Sequence, residues 1–252
     1  MKKLLILLLC SALFYSDPVF GWGREGHETI AKIAERNLTK KAKKRIEKYL
    51  GGHSIVYFAK WMDEYRHTPE YKFTNNWHTV PVNAELRYED SMLAKNGNAI
   101  YGLEQAIENL KNYRSLTDSA VEVNLKYIIH LVGDMHCPGH VRWPDNQEIG
   151  YFNVVLKGSE IRYHTIWDTP IVATTHPWSF SDLAFLLDRY TEEQQRAAIA
   201  GDIYDWGRES AANSKCIYDV KPGDKLGHDF ILKYKPLAEE QLAKAGYRLA
   251  KV

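Results

Sequence analysis

The sequence has little net charge, no long apolar run and no region of unusual composition. Its 33 lysines and arginines nearly balance 32 aspartates and glutamates, which leaves a formal net charge of +1. A chain so close to neutrality has no broad basic surface for gripping duplex nucleic acid electrostatically. We find no internal repeat, low-complexity tract or linker in its 252 residues, of which 45% are apolar and 26% charged. This composition predicts one large globular domain with a sizeable core.

The apolar run near the N-terminus is too short to span a membrane. It covers Leu4 to Phe14, follows two lysines, and is succeeded by Val19-Phe20-Gly21, which has a small residue last and an aliphatic residue two before it. This pattern is typical of a secretory signal peptide that is cut after Gly21. We therefore predict that residues 1–21 are removed and that residues 22–252 form the mature domain, without a membrane span. The protein is then exported to the periplasm or the extracellular medium.

Cysteine is scarce, with only Cys10, Cys137 and Cys216 in the chain. Cys10 lies in the predicted signal peptide, so the mature domain has an even count, which permits a disulfide in an exported protein. A bridge between Cys137 and Cys216 would close a long loop and contribute about 4 kcal/mol in the chain-entropy model. Two free thiols remain the alternative, because Cys137 lies within the stretch of candidate metal ligands.

That stretch is His130-Leu-Val-Gly-Asp134-Met-His-Cys-Pro-Gly-His140. Apolar residues at helical spacing precede it, and residues four apart share a face of a helix, so His130 and Asp134 should project together near a helix end. The Pro-Gly pair then stops the helix. The chain can fold back there and aim His140 at the same place.

A second pair with the same spacing follows at His164 and Asp168. Imidazole and carboxylate are ligands of zinc and of similar metals. A single pair of this kind is more often a surface hydrogen bond than a ligand pair. The metal interpretation gains weight only as further candidates accumulate along the chain.

Further candidate ligands lie upstream, at His27, Asp63 and His78, and Arg66 follows Asp63 as a candidate for charge stabilisation. Asp63 and Arg66 are three apart on a predicted helix, so the alternative for them is a surface ion pair that contributes about 0–1 kcal/mol. His78 follows a tryptophan, and the alternative for it is a packed core histidine.

Most of the remaining pattern is helical. Thr39 is a candidate N-cap between two helices within residues 27–50, and Gly158 is the candidate turn of a short β-hairpin after residue 150. The class is therefore mostly α with a minor β-hairpin. The other predicted helices cover residues 54–65, 98–115 and 119–136, and two or three helices finish the chain over roughly residues 181–213 and 226–247.

Five motifs in this order carry a family resemblance: Trp22-Gly-x-x-Gly-His27, Ala59-x-Trp61-x-Asp63, Trp77-His78, His130-x-x-Gly133-Asp134-x-His-x-Pro138-x-His140 and His164-x-x-Trp167-Asp168. Each is weak alone, but together they are specific. The chain resembles the zinc-dependent single-strand nucleases of the S-one/P-one type, relatives of the zinc-dependent bacterial phospholipases C. The resemblance implies the single-domain, mostly α-helical fold of that superfamily.

The resemblance also implies three zinc ions in one cleft. One ion would bind Asp63, His78, His130 and Asp134. A second would bind the amine and carbonyl of Trp22, His27 and Asp134, so that Asp134 bridges the two. The third would bind His140, His164 and Asp168. Such a cluster is a large local positive charge, which lets a neutral protein hold phosphate.

The activity implied by the resemblance is hydrolysis of phosphodiester bonds in single-stranded DNA and RNA, to 5′-phosphorylated products. A bridged metal pair activates a water molecule for in-line attack on phosphorus, which makes Asp63 and Asp134 catalytic candidates. Arg66 would stabilise charge on the phosphoryl oxygens with its guanidinium fork. The same chemistry implies action on 3′-nucleotides, and no stable protein partner is implied.

The chain departs from the resemblance at the base pocket. Fungal members have an aromatic residue and an aspartate where this chain has Thr79 and Pro81. Tyr151, Tyr163 or Trp143 could stack on a base instead, which contributes about 1–3 kcal/mol per base. The alternative is that all three are ordinary core aromatics.

Two other functions remain open from the sequence. One is a phospholipase C with the same metal core, although such enzymes typically close the last ligand pair with glutamate and this chain has Asp168. The other is a binding protein whose metals only stabilise the fold. Sharing nine ligands among three ions leaves open coordination positions, which are typical of catalytic zinc and not of structural zinc.

Overall fold

Helices dominate the part of the chain that the computed structural model describes, which is residues 22–83, 85, 97–142, 152–173 and 179–252. The prediction of a mostly α fold is confirmed. The predicted signal peptide, Trp143 and Tyr151 lie outside the described residues. The α-helices are α1 (Arg24–Asn37), α2 (Lys40–Tyr49), α3 (Trp61–Tyr65), α4 (Ala99–Lys111), α5 (Asp118–His136), α6 (Tyr163–Asp168), α7 (Pro170–Ala173), α8 (Phe180–Leu187), α9 (Glu192–Ala198), α10 (Ile203–Ser214) and α11 (His228–Lys251). The 3-10 turns are Ile55–Phe58, Lys72–His78, Tyr113–Ser115, Pro138–His140 and Lys215–Asp219.

Helices α1 and α2 meet at the predicted cap. The Thr39 side chain accepts a hydrogen bond from the backbone N–H of Ala42 and so begins α2. Helix α2 has no buried residue, whereas α1 buries the face that carries His27. Helix α1 packs closely on α11, where a Cβ added to Gly246 would lie 2.5 Å from the side chain of Ile33. This close approach fixes α1 against the C-terminal helix.

Helix α5 is the buried centre of the fold. The Thr117 side chain caps its N-terminus, and from Lys126 to His136 all its residues are buried. It packs against α1, α3, α4, α10 and α11. The last turns of α5 are therefore enclosed by other helices, and those turns carry His130 and Asp134.

The predicted helix over residues 54–65 is divided into two pieces. A 3-10 turn over Ile55–Phe58 comes first, and α3 follows from Trp61. Between them, the carbonyl of Ala59 accepts a hydrogen bond from His130 Nδ1 at 2.8 Å. The break directs that carbonyl toward α5 and lets it orient a histidine.

The predicted hairpin is present as β3 (Asn153–Leu156) and β4 (Ser159–Arg162), which pair antiparallel. Lys157 and Gly158 form the turn with φ of 51° and 87°, a left-handed conformation that glycine adopts readily. A third strand, β5 (Lys225–Leu226), pairs parallel with β3 and was not predicted.

A two-stranded parallel pair joins two segments that carry candidate ligands. Strands β1 (Val80–Pro81) and β2 (Val141–Arg142) align Val80 with Val141. Val80 lies two residues after His78, and Val141 directly follows His140. This pairing brings the two histidines toward one region of the protein.

Helix α11 completes the fold and packs on α1, α5 and α7. It contains Pro236, yet it continues as one helix from His228 to Lys251. No helix in the described ranges is long and apolar enough to cross a membrane.

Candidate metal centre

The carboxylate of Asp134 is the centre of a buried cluster of histidines. Its Oδ2 lies 2.8 Å from His78 Nδ1 and 3.1 Å from His130 Nε2. Its Oδ1 lies 3.3 Å from His27 Nε2 and 3.5 Å from His140 Nδ1. All five side chains are at most 2% exposed. Each oxygen of one carboxylate therefore faces two imidazoles, which is the arrangement needed for a bridging ligand.

Helix contacts set these positions. His27 on α1 stacks on His130 of α5 with ring centroids 4.1 Å apart. A Cβ added to Gly133 would lie 2.8 Å from His27 Nδ1, so only glycine at this position leaves room for the His27 ring. The hydrogen bond from His130 Nδ1 to Ala59 leaves Nε2 facing Asp134.

Asp63 enters the same cluster from α3. Its Oδ1 lies 3.5 Å from His78 Nδ1 and 3.6 Å from His130 Nε2. The other carboxylate oxygen forms an ion pair with Lys60, whose side chain is 13% exposed. Sequence reasoning missed Lys60, although a lysine three residues before a candidate ligand shares its helical face.

A second group of ligand atoms lies around the end of α5. His140 Nε2 is 3.2 Å from His164 Nε2, and the two rings stack with centroids 4.9 Å apart. His164 Nε2 lies 3.4 Å from Asp168 Oδ1. The buried thiol of Cys137 also lies here, and its sulfur, a His140 nitrogen and an Asp168 oxygen are all within 4.8 Å of one another.

The chemistry of these donors fits divalent cations such as zinc. Ligand atoms within 4.8 Å of one another also come from His27, Asp63 and His130, and from His78, His130 and Asp134. Within the described ranges, both ring nitrogens of His27 and both oxygens of Asp168 are buried without a hydrogen-bond partner. Buried polar atoms without partners are costly, and a shared cation would satisfy them.

Burial lowers the pKa of four of the five ligand histidines: His27, His78, His140 and His164. It lowers the pKa of His27 and His140 to about 3 and that of His164 to about 4. Burial acts in the same direction on His130, but the carboxylates of Asp134 and Asp63 outweigh it and raise the pKa of His130 to about 10. Neutral imidazole is the form that binds metals, so a cation bound at His130 would have to displace the proton from its ring.

The pKa values of two buried carboxylates, Asp134 and Asp168, are shifted in opposite directions. Burial alone would raise the pKa of Asp134, but His130 and His140 outweigh it and hold that pKa well below its usual range. Burial, together with the carboxylates of Asp63 and Asp134, raises the pKa of Asp168 well above its usual range. A divalent cation beside Asp168 would reverse this shift, because it favours the ionised carboxylate.

Arg66 lies one turn after Asp63 and is 5% exposed. Its backbone N–H caps α3 by donating to the carbonyl of Met62. A guanidinium this well buried differs from the surface ion pair that the sequence left open. The predicted role of Arg66 in stabilising phosphate charge stays a prediction.

Trp22 is fully buried, and the next residue is tied to the second ligand group. The backbone N–H of Gly23 donates to the carbonyl of Asp168 at 2.6 Å. The start of the described chain and the end of α6 are therefore adjacent. The predicted metal contact of the Trp22 amine stays a prediction.

Tyr163 is 1% exposed and packs as a core aromatic. Its ring stacks on Phe152 with centroids 5.2 Å apart, and its hydroxyl donates to the carbonyl of Ile217 at 2.8 Å. A base could reach this ring only if that packing opened. The burial agrees with the core alternative for Tyr163, and Tyr151 lies outside the described residues.

The two thiols are free in the structure. Cys137 is buried beside the ligand group, while Cys216 is half-buried and donates to the carbonyl of Asn213 at 3.4 Å. The unbridged alternative from the sequence is therefore the one observed.

Comparison with known proteins gives one consistent result. The family described as S1/P1 Nuclease matches residues 22–252. Nuclease S1 of Aspergillus oryzae is 27% identical over 98% of this chain and 95% of its own length. Endonuclease 2 of Arabidopsis thaliana is 24% identical over 97% of this chain and 94% of its own length. Nuclease P1 of Penicillium citrinum is 27% identical over 59% of this chain and 57% of its own length.

Proposed function

The chain belongs to the S1/P1 nuclease family, and from that premise we propose that it is an exported, zinc-dependent endonuclease of single-stranded DNA and RNA. At the level of the family it is a nuclease, a hydrolase of phosphodiester bonds in nucleic acids. The main support for zinc dependence is the Asp134 carboxylate, because two imidazoles face each of its oxygens.

Three zinc ions are proposed, with the ligand sets implied by the resemblance. Asp63, His78, His130 and Asp134 would hold the first ion. The Trp22 amine and carbonyl, His27 and Asp134 would hold the second, and His140, His164 and Asp168 the third. When bound, zinc supplies polarisation of phosphoryl oxygens and activation of water near neutral pH. This assignment is supported by the buried carboxylate oxygens that lack hydrogen-bond partners and by the low pKa, about 3, of the His27 and His140 imidazoles beside them.

The side chains have separate tasks in the proposed reaction. Asp134 and Asp63 supply negative charge that gathers the cations, and Ala59 orients the His130 ring through its carbonyl. Lys60 holds one oxygen of Asp63 and so leaves the other directed at His78 and His130. Arg66 is proposed to bind the scissile phosphate, because a guanidinium is always charged and can contact two oxygens at once.

Single strands are the proposed substrates, together with 3′-nucleotides, and the products would carry 5′-phosphates. The near-neutral chain lacks the overall charge for strong binding of duplexes. Thr79 and Pro81 offer no aromatic face for a base. Base preference would therefore differ from that of relatives with an aromatic residue in this place. No stable protein partner is proposed.

Phospholipase C activity and a purely structural metal site are the competing functions. Asp168 in place of glutamate, and relatives whose names are nucleases and endonucleases, favour the nuclease. The test is one assay of purified protein on denatured DNA, RNA, 3′-AMP and phosphatidylcholine, each with and without a chelator. We expect chelator-sensitive hydrolysis of the first three. Hydrolysis of the lipid alone would contradict the proposal, and no hydrolysis at all would favour the structural role.

Export through a signal peptide of residues 1–21, to the periplasm or the medium, is also proposed. The pattern of the first 21 residues supports it. N-terminal sequencing of the protein recovered from outside the cytoplasm should begin at Trp22. A first residue at Met1 or within the apolar run would contradict this proposal.

A further inference from the structure

Among the described residues, Cys137 lies in the buried group of metal-ligand types but has no role in the three zinc sites proposed above. It ends α5, and the 3-10 turn Pro138–His140 follows directly. The turn brings the backbone N–H of His140 to the Cys137 carbonyl at 2.9 Å. The Cys137 side chain is fully buried, so its sulfur faces protein groups and not solvent.

Burial, together with the carboxylate of Asp168, raises the pKa of the Cys137 thiol well above its usual range. The backbone N–H groups of Gly139 and His140 offset this shift only in part, and the His140 N–H donates to the Cys137 carbonyl. Donors of this kind stabilise negative charge on sulfur, as hydrogen bonds to ionised groups do generally. A cation bound to the sulfur would favour the thiolate much more strongly than these donors do.

Unpartnered ligand atoms face the thiol. Cys137 Sγ, one nitrogen of His140 and one oxygen of Asp168 lie within 4.8 Å of one another. Both oxygens of Asp168 and Nδ1 of His140 are buried and lack hydrogen-bond partners in the described ranges. Zinc binds sulfur at about 2.3 Å and nitrogen or oxygen at about 2.0–2.2 Å, which puts its ligand atoms roughly 3.5 Å apart. A contraction of about 1 Å would close this group on one ion.

We propose that Cys137 is itself a metal ligand, binding through its thiolate the ion that His140 and Asp168 hold together with His164. The inference rests on the proposed function, because it extends the third of the proposed zinc sites. On binding, the S–H bond breaks, the proton passes to water, and a sulfur–metal bond forms. The sulfur makes this site softer than the two sites around Asp134, so it should favour zinc or cobalt over magnesium or manganese.

A cobalt-substituted protein tests this ligand directly. Cobalt(II) bound by a thiolate absorbs in the near ultraviolet by charge transfer from sulfur, whereas cobalt bound only by imidazole and carboxylate does not. We expect this absorption in the wild-type chain and in Cys216→Ala, the matched control for the other free thiol. It should be lost in Cys137→Ala, which should also retain about one metal ion fewer after dialysis against a chelator of moderate strength. Equal near-ultraviolet absorption in Cys137→Ala and the wild type would overturn the proposal.

Alkylation of the wild-type chain provides a test that needs no variant. Zinc should protect Cys137 from iodoacetamide, and removal of zinc should raise its labelling rate at least about tenfold, as measured on the isolated peptide by mass spectrometry. The labelling rate of Cys216 should stay the same and serves as the internal control. Equal labelling of Cys137 with and without zinc overturns the proposal.

The results also separate this inference from the proposed function. A chelator-sensitive nuclease with no sulfur-to-cobalt absorption and an unprotected Cys137 would refute the thiolate ligand alone. A protein with the absorption and the protection, but without hydrolysis of any nucleic acid, would refute the proposed function alone.

Discussion

Replacement of Asp134 by alanine is the most direct test of the metal cluster. The substitution removes a carboxylate that four histidine nitrogens approach within 2.8–3.5 Å. It leaves these imidazoles facing one another around a cavity. Because Asp134 is proposed to bridge two ions, each of the two would lose its shared anionic ligand. We therefore expect Asp134→Ala to lose more than one zinc equivalent.

The expected loss of activity in Asp134→Ala can be estimated from the number of metal ions that share this ligand. Loss of a group that only orients a ligand typically costs 10–100-fold in metal affinity or activity. Loss of a ligand shared by two ions should exceed that, so we expect a fall in kcat/KM of at least about 10³-fold, or about 4 kcal/mol of transition-state stabilisation. Asp134→Asn keeps one oxygen and should lie between alanine and the wild type.

Elemental analysis and initial rates on denatured DNA measure both effects. Asp118→Ala is the matched control, because Asp118 is an exposed residue at the other end of α5. The control should keep wild-type zinc content and rate. Asp134→Ala protein with a full zinc complement and normal turnover would refute the bridging role.

The remaining predictions concern Arg66, substrate form and Trp22. Arg66→Ala should lower the rate about 10²-fold or more at unchanged zinc content, and Arg66→Lys should recover only part because it lacks the planar fork; an unimpaired alanine variant would exclude a role in phosphate binding. Single strands should be cut at least about tenfold faster than the same sequence annealed into duplex, and equal initial rates would contradict this. A chain beginning at Trp22 should bind about one zinc more than a chain with an added alanine before it, because an amide nitrogen cannot donate its lone pair. Equal zinc content and turnover in the two chains would exclude the amine as a ligand.

Local signals explain which elements of the fold were predictable. The Thr39 cap and the apolar spacing that defines α4 and α5 act within a few residues. By contrast, β1, β2 and β5 are two-residue strands whose partners are distant in sequence. Nothing within such short segments distinguishes a strand from a loop. The predicted helix over residues 54–65 is broken near Ala59, whose carbonyl accepts a hydrogen bond from His130 on another helix, a contact that the local sequence does not reveal.

Those residues of the candidate site that belong to recognisable sequence motifs could be predicted from the sequence. Residue types and spacing identified His130, Asp134 and His140, and the structure brings these side chains together. Spacing could not reveal that Tyr163 is buried against Phe152, because this depends on how the hairpin packs on α6. Nor could it reveal that the Cys137 thiol faces Asp168, a residue supplied by a different helix.

The hydrogen bond between Gly23 and Asp168 has a consequence for the order of folding. It holds the first turn of α1 against α6, so its formation requires the docking of two segments far apart in the chain, which is slow relative to helix formation. Before segments that are distant in the chain have docked, a metal ion would find only local pairs such as His130 with Asp134, each supplying two ligands. Tight metal uptake would therefore follow chain collapse. Substitutions that loosen the contact between Ile33 and Gly246 should delay the appearance of activity during refolding without altering its final level.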